Sequence, residues 1–309
     1  MISIIICSTT KTLSGELTEN IDSTIGVPYE LICIDNSEGK YSICQAYNKG
    51  IELAQHPYLL FVHQDVVFQT TDWGKHLITH LQQPDAGIIG MVGAQIVPRI
   101  PQEAWVGYNL GEHFIQGNSY STRKAKLHYL PENYNEELYP VVCMDGMFLA
   151  MRKELTEKIH FDENIPGFHT YDIDICLQAT QAGYVNYVAY DILLTHNSSG
   201  QINQNYYQQL INTYRKWQDH LPMTVPALRN ETTIIQKAEL KQLRRLQQKL
   251  INKRFSVHSV IQLTYEYTQL IDCPLSQWEK IKLRTWLYYQ LTDAKLRHLY
   301  RWIETQLSH

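Results

Sequence analysis

The chain has 309 residues, 44% of them apolar and 19% charged, which allows a large buried core and excludes wholesale disorder. Its net charge of −4 conceals a split: residues 1–226 carry 13 basic and 24 acidic side chains (−11), and residues 227–309 carry 14 and 7 (+7). A uniformly basic nucleic-acid-binding surface is thereby excluded, and two units with different partners are expected, residues 1–225 and 226–309.

Ile2 to Cys7 is a short, branched apolar run ending at Ser8-Thr9-Thr10, which predicts a buried parallel strand running into a polar loop. It lacks the basic leader and apolar length of a secretory signal, and no segment reaches the ~20 apolar residues that span a bilayer. Leu31–Ile34 and Tyr58–Val62 repeat the pattern, ending at Asp35-Asn36-Ser37 and His63-Gln64-Asp65. Between them Ile43, Ala46, Tyr47, Ile51 and Leu53-Ala54 form a helical stripe. Strands alternating with helices predict an α/β sheet with polar groups gathered beyond the strand carboxyl ends, the edge where such sheets bind ligands.

Asp72–Leu81 reads as a helix capped by Thr71 or Asp72, and Gly87–Ala94 as a strand. Residues 98–140 are rich in Pro, Gly, Asn and Tyr without a period, and are expected to form a long, partly irregular insert. Val141–Met151 reads as a buried strand interrupted at Asp145-Gly146. Asp172–Ala182 is helical, Val185–Tyr190 and Ile192–Leu194 are strands, and Gln204–His220 is a helix. Pro222 and Pro226 mark a boundary, and from Glu231 the chain is helical, with Lys and Arg between apolar stripes. The six cysteines (7, 33, 44, 143, 176, 273) form no CxxC pair and are expected to be reduced, buried thiols of a cytoplasmic protein.

Three clusters carry chemistry. His63 and Asp65 are two residues apart at a strand end, a spacing that would put two ligands on one side. A diphosphate leaving group needs a divalent cation, and hard cations favour carboxylate oxygen. A capping Asp beside a surface His would look the same. Asp172 and Asp174 open a helix; one could cap it while the other faces the ligand edge as a general base, or both could be helix-start acids. His196 ends an apolar run and is followed by Asn197-Ser198-Ser199-Gly200, which reads as a ligand-bearing loop or a structural histidine.

In order and spacing these clusters resemble the family 2 glycosyltransferases of the GT-A fold, particularly their bacterial glycosyltransferase-like branch, over about residues 1–200. Ile2–Thr9 matches the first nucleotide-binding strand, and Ile34-Asp35-Asn36-Ser37 the place of a base-reading carboxylate. Ala46-Tyr47-Asn48-Lys49-Gly50 matches a helix segment of that family. Phe61-Val62-His63-Gln64-Asp65 stands at its Asp-x-Asp motif, Val142–Arg152 at its acceptor-side strand, and Phe161-Asp162-Glu163 with Tyr171-Asp172-Ile173-Asp174 at its catalytic block.

The resemblance implies a GT-A mixed sheet flanked by helices, followed by an all-helical extension. It implies Asp172 as catalytic base and Asp145, Gly146 and Asp174 on the acceptor side. Ser8, Thr9, Asp35, Asn48 and Gln64 would contact the nucleotide, and Asp65, His63 and His196 a metal. Two departures stand out: His63 replaces the first Asp of the motif, which favours Mn²⁺ over Mg²⁺, and Tyr171 replaces the Glu that commonly precedes the base. The implied activity is inverting transfer from a nucleotide-diphosphate sugar to a glycan or lipid-linked acceptor, in bacterial surface polysaccharide or glycoconjugate synthesis.

Three other readings compete. A sugar nucleotidyltransferase would want a Gly-rich loop after the first strand, which Ser8-Thr9-Thr10-Lys11 is not. A catalytically inactive sugar-nucleotide-binding or scaffolding protein, docking through its tail, accounts for the altered motif. Nucleic-acid binding could rest only on the tail, whose basic residues interleave with Leu as on an ordinary helix surface, so none is expected. The tail's charge, with Trp278, Trp286, Tyr288, Tyr289, Tyr300 and Trp302, leaves a helical bundle or peripheral contact with the inner face of an anionic membrane as alternatives.

Overall fold

The computed structural model describes residues 1–117, 125–132, 134–198, 202–271 and 292. Its first strand, β1 (Ile2–Ser8), has Ile2, Ile4, Ile5 and Ile6 fully buried because both its faces are covered. Helix α1 (Gly15–Thr24) starts where Ser14 accepts a hydrogen bond from Leu17 N, and β2 (Tyr29–Asp35) follows. Helix α2 (Ile43–Leu53) opens on a capping box between Ser42 and Gln45, and leads to β3 (Tyr58–Val62). Its Gly50 lies against β1: a Cβ there would stand 2.3 Å from Ile5 Cγ2, so helix and strand approach closely only because the residue is glycine.

The chain continues through β4 (Val66–Phe68), α3 (Trp73–Leu81), β5 (Ala86–Gly90), β6 (Val92–Val97), β7 (Tyr108–Gln116), β8 (Lys126–Leu130), β9 (Leu138–Val141), β10 (Cys143–Met144) and β11 (Phe148–Arg152). Then come α4 (Tyr171–Gln181), β12 (Val185–Ala189), β13 (Leu194–His196), α5 (Gln204–Trp217), β14 (Met223–Thr224), α6 (Thr232–Asn252) and α7 (Val257–Leu270). The first mixed sheet has the order β2-β1-β3-β11-β5-β12-β9. In it β1 is parallel to β2 and β3, with Ser8 opposite Asp35, and β11 is antiparallel to β3 and β5. The second runs β10-β6-β7-β13-β4, with β8 added on β7 and β14 on β6.

Two compact units result. One comprises Met1–Val97, Glu103–Gln201 and Pro222–Asn230 and holds both sheets with α1 to α4. The other comprises Pro98–Gln102, Ile202–Leu221 and Glu231 onward, and holds α5, α6 and α7. In that helical unit the fully buried Glu239 pairs with Arg99 at 3.1 Å, Gln242 Nε2 donates to Pro101 O at 2.7 Å, and Tyr214 Oη donates to Gln102 O. The units therefore do not follow a single cut at residues 225/226: five residues after β6, and α5 itself, belong with the helices.

Several local expectations change. Gly87–Ala94 is two strands in different sheets, separated at the buried Met91; its unbroken apolar run carries no mark of the switch. Val141–Met151 likewise divides, and β10 and β11 join different sheets. Residues 98–140 contain β7, β8 and β9; the burial of β7 does not alternate, so no period showed. Asp72 precedes α3 at φ 60° without capping it through its side chain, and pairs instead with Lys75. The strand expected at Ile192–Leu194 lies at Leu194–His196, so His196 is a strand residue. Ser199, Gly200, Cys273 and the tail aromatics lie outside the described residues. The other five cysteines are free thiols. Among the described residues, no helix is long and apolar enough to cross a membrane.

Candidate active site

The carboxyl ends of β1, β2 and β3 form one polar edge. Gln64, in the turn after β3, accepts from Thr9 N at 2.9 Å and Ser8 Oγ at 3.0 Å, and its amide donates to Thr9 Oγ1 at 2.7 Å. Asp35 is exposed at the end of β2, and the Ser37 N–H holds its carboxyl below the usual range. Ser8, Thr9, Asp35 and Gln64 are thus brought to one edge. Asn48 is not: its amide donates to Phe161 O and Glu163 Oε1, both at 2.9 Å, and fastens α2 to the 161–163 loop.

His63 and Asp65 sit in the turn between β3 and β4, and do not alternate along a strand as their spacing implied. The turn is pinned at both ends: His63 N donates to Met147 O at 3.1 Å, and Asn197 N donates to Asp65 O at 2.9 Å. Strand β13 delivers His196 beside it, its carbonyl held by Gly117 N and Gln116 Nε2. His63 Nδ1 and His196 Nε2 lie 3.2 Å apart, and His196 Nε2 is 3.4 Å from Asp65 Oδ1. Ligand atoms of all three side chains lie within 4.8 Å of one another. His196 is 8% exposed and Asp65 38%, so the set opens to solvent on the carboxylate side.

Tyr171 contacts the nitrogen of His63 that faces away from that set. Its Oη donates its one proton to Gly146 O at 3.2 Å and stands 3.0 Å from His63 Nε2. With that proton on Gly146 O, it accepts from Nε2–H, the tautomer that leaves the Nδ1 lone pair toward His196 and Asp65. Burial, and then the neighbouring His196, hold the His63 pKa low and the ring neutral, the form that ligates metals. Asp65 is held below the usual carboxylate range: burial raises its pKa, but the hydrogen bond from His196 and the neighbouring imidazoles outweigh it. Two imidazole nitrogens and a carboxylate are a donor set that fits a first-row divalent cation such as Mn²⁺ better than Mg²⁺.

On the other side of Tyr171 stands Asp172, in the first turn of α4 and 7% exposed. Gly146 N donates to its Oδ2 at 3.1 Å and Ile173 N to its Oδ1 at 2.9 Å. Burial, and then the charge of Asp145, push its pKa up to about 7 despite these bonds. Asp145 in turn accepts from Met147 N at 3.0 Å. Gly146 admits no side chain, since a Cβ would meet Tyr171 Oη at 2.1 Å. Asp174 does not join this cluster: it is 1% exposed and accepts from Gln178 Nε2 at 2.8 Å, one turn along its own helix. A continuous chain therefore runs His196, His63, Tyr171, Gly146, Asp172. The supports Gln116, Gly117 and Met147 escaped sequence reading; Gln116 and Gly117 fall in the aperiodic insert, and Met147 acts through its backbone.

No curated protein matches the chain by sequence. Among solved structures, S. aureus TarS 1–349 in complex with UDP-GlcNAc is 12% identical, with a TM-score of 0.54 over 95% of this chain and 88% of that one. GalNAc-T7 with UDP, GalNAc and Mn²⁺ is 14% identical, with a TM-score of 0.47 over 70% of this chain and 49% of that one, so the chain spans about half of it. A197 from STIV is 13% identical, with a TM-score of 0.36 over 63% and 84%. At such identities only the TarS likeness bears on the molecule, and it bears on the fold, which is GT-A. The sequence model of the glycosyltransferase-like family matches residues 3–216, a stretch that takes in both sheets' functional edges, the paired histidines and Asp172, and the chain belongs to that family.

Proposed function

We propose that this protein is a metal-dependent, inverting glycosyltransferase that moves a sugar from a nucleoside-diphosphate sugar to a hydroxyl of a glycan or lipid-linked acceptor. The observation that carries the reading is the chain joining a three-donor cation set to a buried carboxylate through His63, Tyr171 and Gly146. Ser8, Thr9, Asp35 and Gln64 take the nucleotide. A divalent cation, Mn²⁺ in preference to Mg²⁺, held by His63, Asp65 and His196 would supply positive charge to the diphosphate. Asp172, oriented by two backbone N–H groups, accepts the acceptor's hydroxyl proton as that oxygen bonds to the anomeric carbon and the carbon–diphosphate bond breaks. Attack opposite the leaving group inverts the anomeric configuration. The resemblance to bacterial glycosyltransferases supports a role in surface polysaccharide or glycoconjugate synthesis at the cytoplasmic face of a membrane.

Transfer from a panel of nucleotide sugars, with the product's anomeric configuration read by NMR, tests this. EDTA should abolish transfer and Mn²⁺ restore it better than Mg²⁺. Asp172→Asn should cut turnover by about 10²–10⁴-fold with donor affinity kept. Full activity in EDTA removes the cation from the reading, and near-normal turnover of the variant removes Asp172. Absence of both transfer and hydrolysis across the panel favours the scaffolding role.

A further inference from the structure

A second group of donors lies in the sheet-bearing unit and shares no residue with the site above. His76 and His80 stand four apart on α3, one helical turn, and so project from one face. Both point at Asp191, in the connection between β12 and β13. His76 Nδ1 is 2.8 Å from Asp191 Oδ2, and His80 Nε2 is 2.8 and 2.9 Å from the two carboxylate oxygens. Glu137, just before β9, brings a fourth donor: ligand atoms of His80, Glu137 and Asp191 lie within 4.8 Å of one another. The backbones are tied as well, with Tyr190 N donating to Glu137 O at 2.8 Å. His80 is 1% exposed, whereas His76 is 41% exposed and Glu137 lies at the surface, so the group is anchored inside and open outside.

We infer that His76, His80, Glu137 and Asp191 form a structural site for a borderline transition-metal cation of the Zn²⁺ class. Two imidazoles and two carboxylates are a tetrahedral nitrogen–oxygen donor set for such an ion. Ligands at about 2.0–2.2 Å from zinc lie about 3.3–3.6 Å from one another; the ligand atoms of His80, Glu137 and Asp191 lie within 4.8 Å of one another, and His76 joins them through Asp191 Oδ2 at 2.8 Å. A purely local ion pair would use one histidine; here two histidines and a second carboxylate, from three separate chain segments, converge on one. Four protein ligands would fill a tetrahedral shell, as in a structural site. What it would brace is the connection after Asp191, where Gln69 N donates to Leu193 O and Leu193 N to Thr70 Oγ1, and which continues into β13 and His196. The cation would thus tether α3 to the segment that delivers a residue of the active-site cluster.

The test uses the full chain carrying Asp65→Ala, which silences the first cluster, stripped with EDTA and titrated with Zn²⁺ by calorimetry, alongside Co²⁺ absorption and thermal melts. We expect one saturable equivalent of Zn²⁺, a visible band of tetrahedral Co²⁺, and a Zn²⁺-dependent rise in Tm of about 5 °C. Adding His76→Ala and Glu137→Gln should weaken Zn²⁺ binding by about tenfold or more and remove the Zn²⁺-dependent Tm rise, each chain being compared with its own metal-free Tm because His76→Ala also removes the bond to Asp191. Adding Asp191→Asn should abolish the Co²⁺ band. The inference is overturned if the Asp65→Ala chain binds no saturable Zn²⁺, or if binding and the Tm rise are the same in the His76→Ala, Glu137→Gln chain.

Discussion

Asp172 shows how one residue's surroundings set both rate and stability. Its pKa of about 7 lies well above that of a carboxyl in the unfolded chain, about 3.9. Folding therefore favours the protonated form, and that contribution, complete below pH ~4, is lost as pH rises to about 7. Asp172→Asn carries no such loss, so in EDTA its Tm relative to wild type should climb between about pH 4 and 7 and then level; thermal melts across that range would show it. Catalysis needs the ionised carboxylate, so transfer should rise with pH through the same region. Asp145→Asn keeps an acceptor for Met147 N but removes the like charge, and should move the rising limb of kcat/KM to lower pH; an unmoved limb would mean that the two carboxylates do not interact. Tyr171 acts through His63. Tyr171→Phe frees the imidazole to choose its tautomer and should raise the Mn²⁺ concentration for half-activation about 10–100-fold, with turnover largely recovered at saturating Mn²⁺. An unchanged Mn²⁺ activation curve would refute the positioning role.

At the scale of elements, the polar edge exists because β1, β2 and β3 run parallel and end together, with α2 packed on β1 through Gly50. Gly50→Ala should gain about 1 kcal/mol of helix propensity yet lose more by driving a methyl into the fully buried Ile5, for a net destabilisation of about 1–2 kcal/mol in denaturant melts. Strand ends and the α4 start could be read in advance, because each rests on short-range chemistry: a branched apolar run, a pair of acids. The division of Gly87–Ala94 and of Val141–Met151 between two sheets could not. Pairing partners far away in sequence decide it, and a strand buried on both faces reads the same whichever sheet it joins.

For the whole molecule, charge is the property with consequences beyond the active site. Helix α6 carries Lys237, Lys241 and Arg244 exposed at helical spacing within the strongly basic tail. The proposal of contact with an anionic membrane predicts that the full chain co-sediments with anionic but not neutral vesicles, and that salt releases it. Replacing these three side chains by Glu should cut binding strongly, at about 1 kcal/mol per charge removed and more on reversal. A full chain that ignores anionic vesicles at low salt leaves the helical unit a structural or protein-docking module.

The sequence by itself determined the α/β class, the polar strand ends, and Asp172, Asp65, His63 and His196 as a set worth assembling, because these follow from local patterning and from motif order along the chain. Only the tertiary structure decided their relations. It turned His63 and Asp65 into a turn, placed Tyr171 so that one imidazole nitrogen faces the cation set, and buried Asp172 beside Asp145. It withdrew Asn48 and Asp174 into packing bonds. It also drew His76, His80, Glu137 and Asp191 together from three separate segments of the chain. Hydrogen-bond partners and desolvation are properties of neighbours in space, and a chain discloses those neighbours only once its long-range strand pairing is complete.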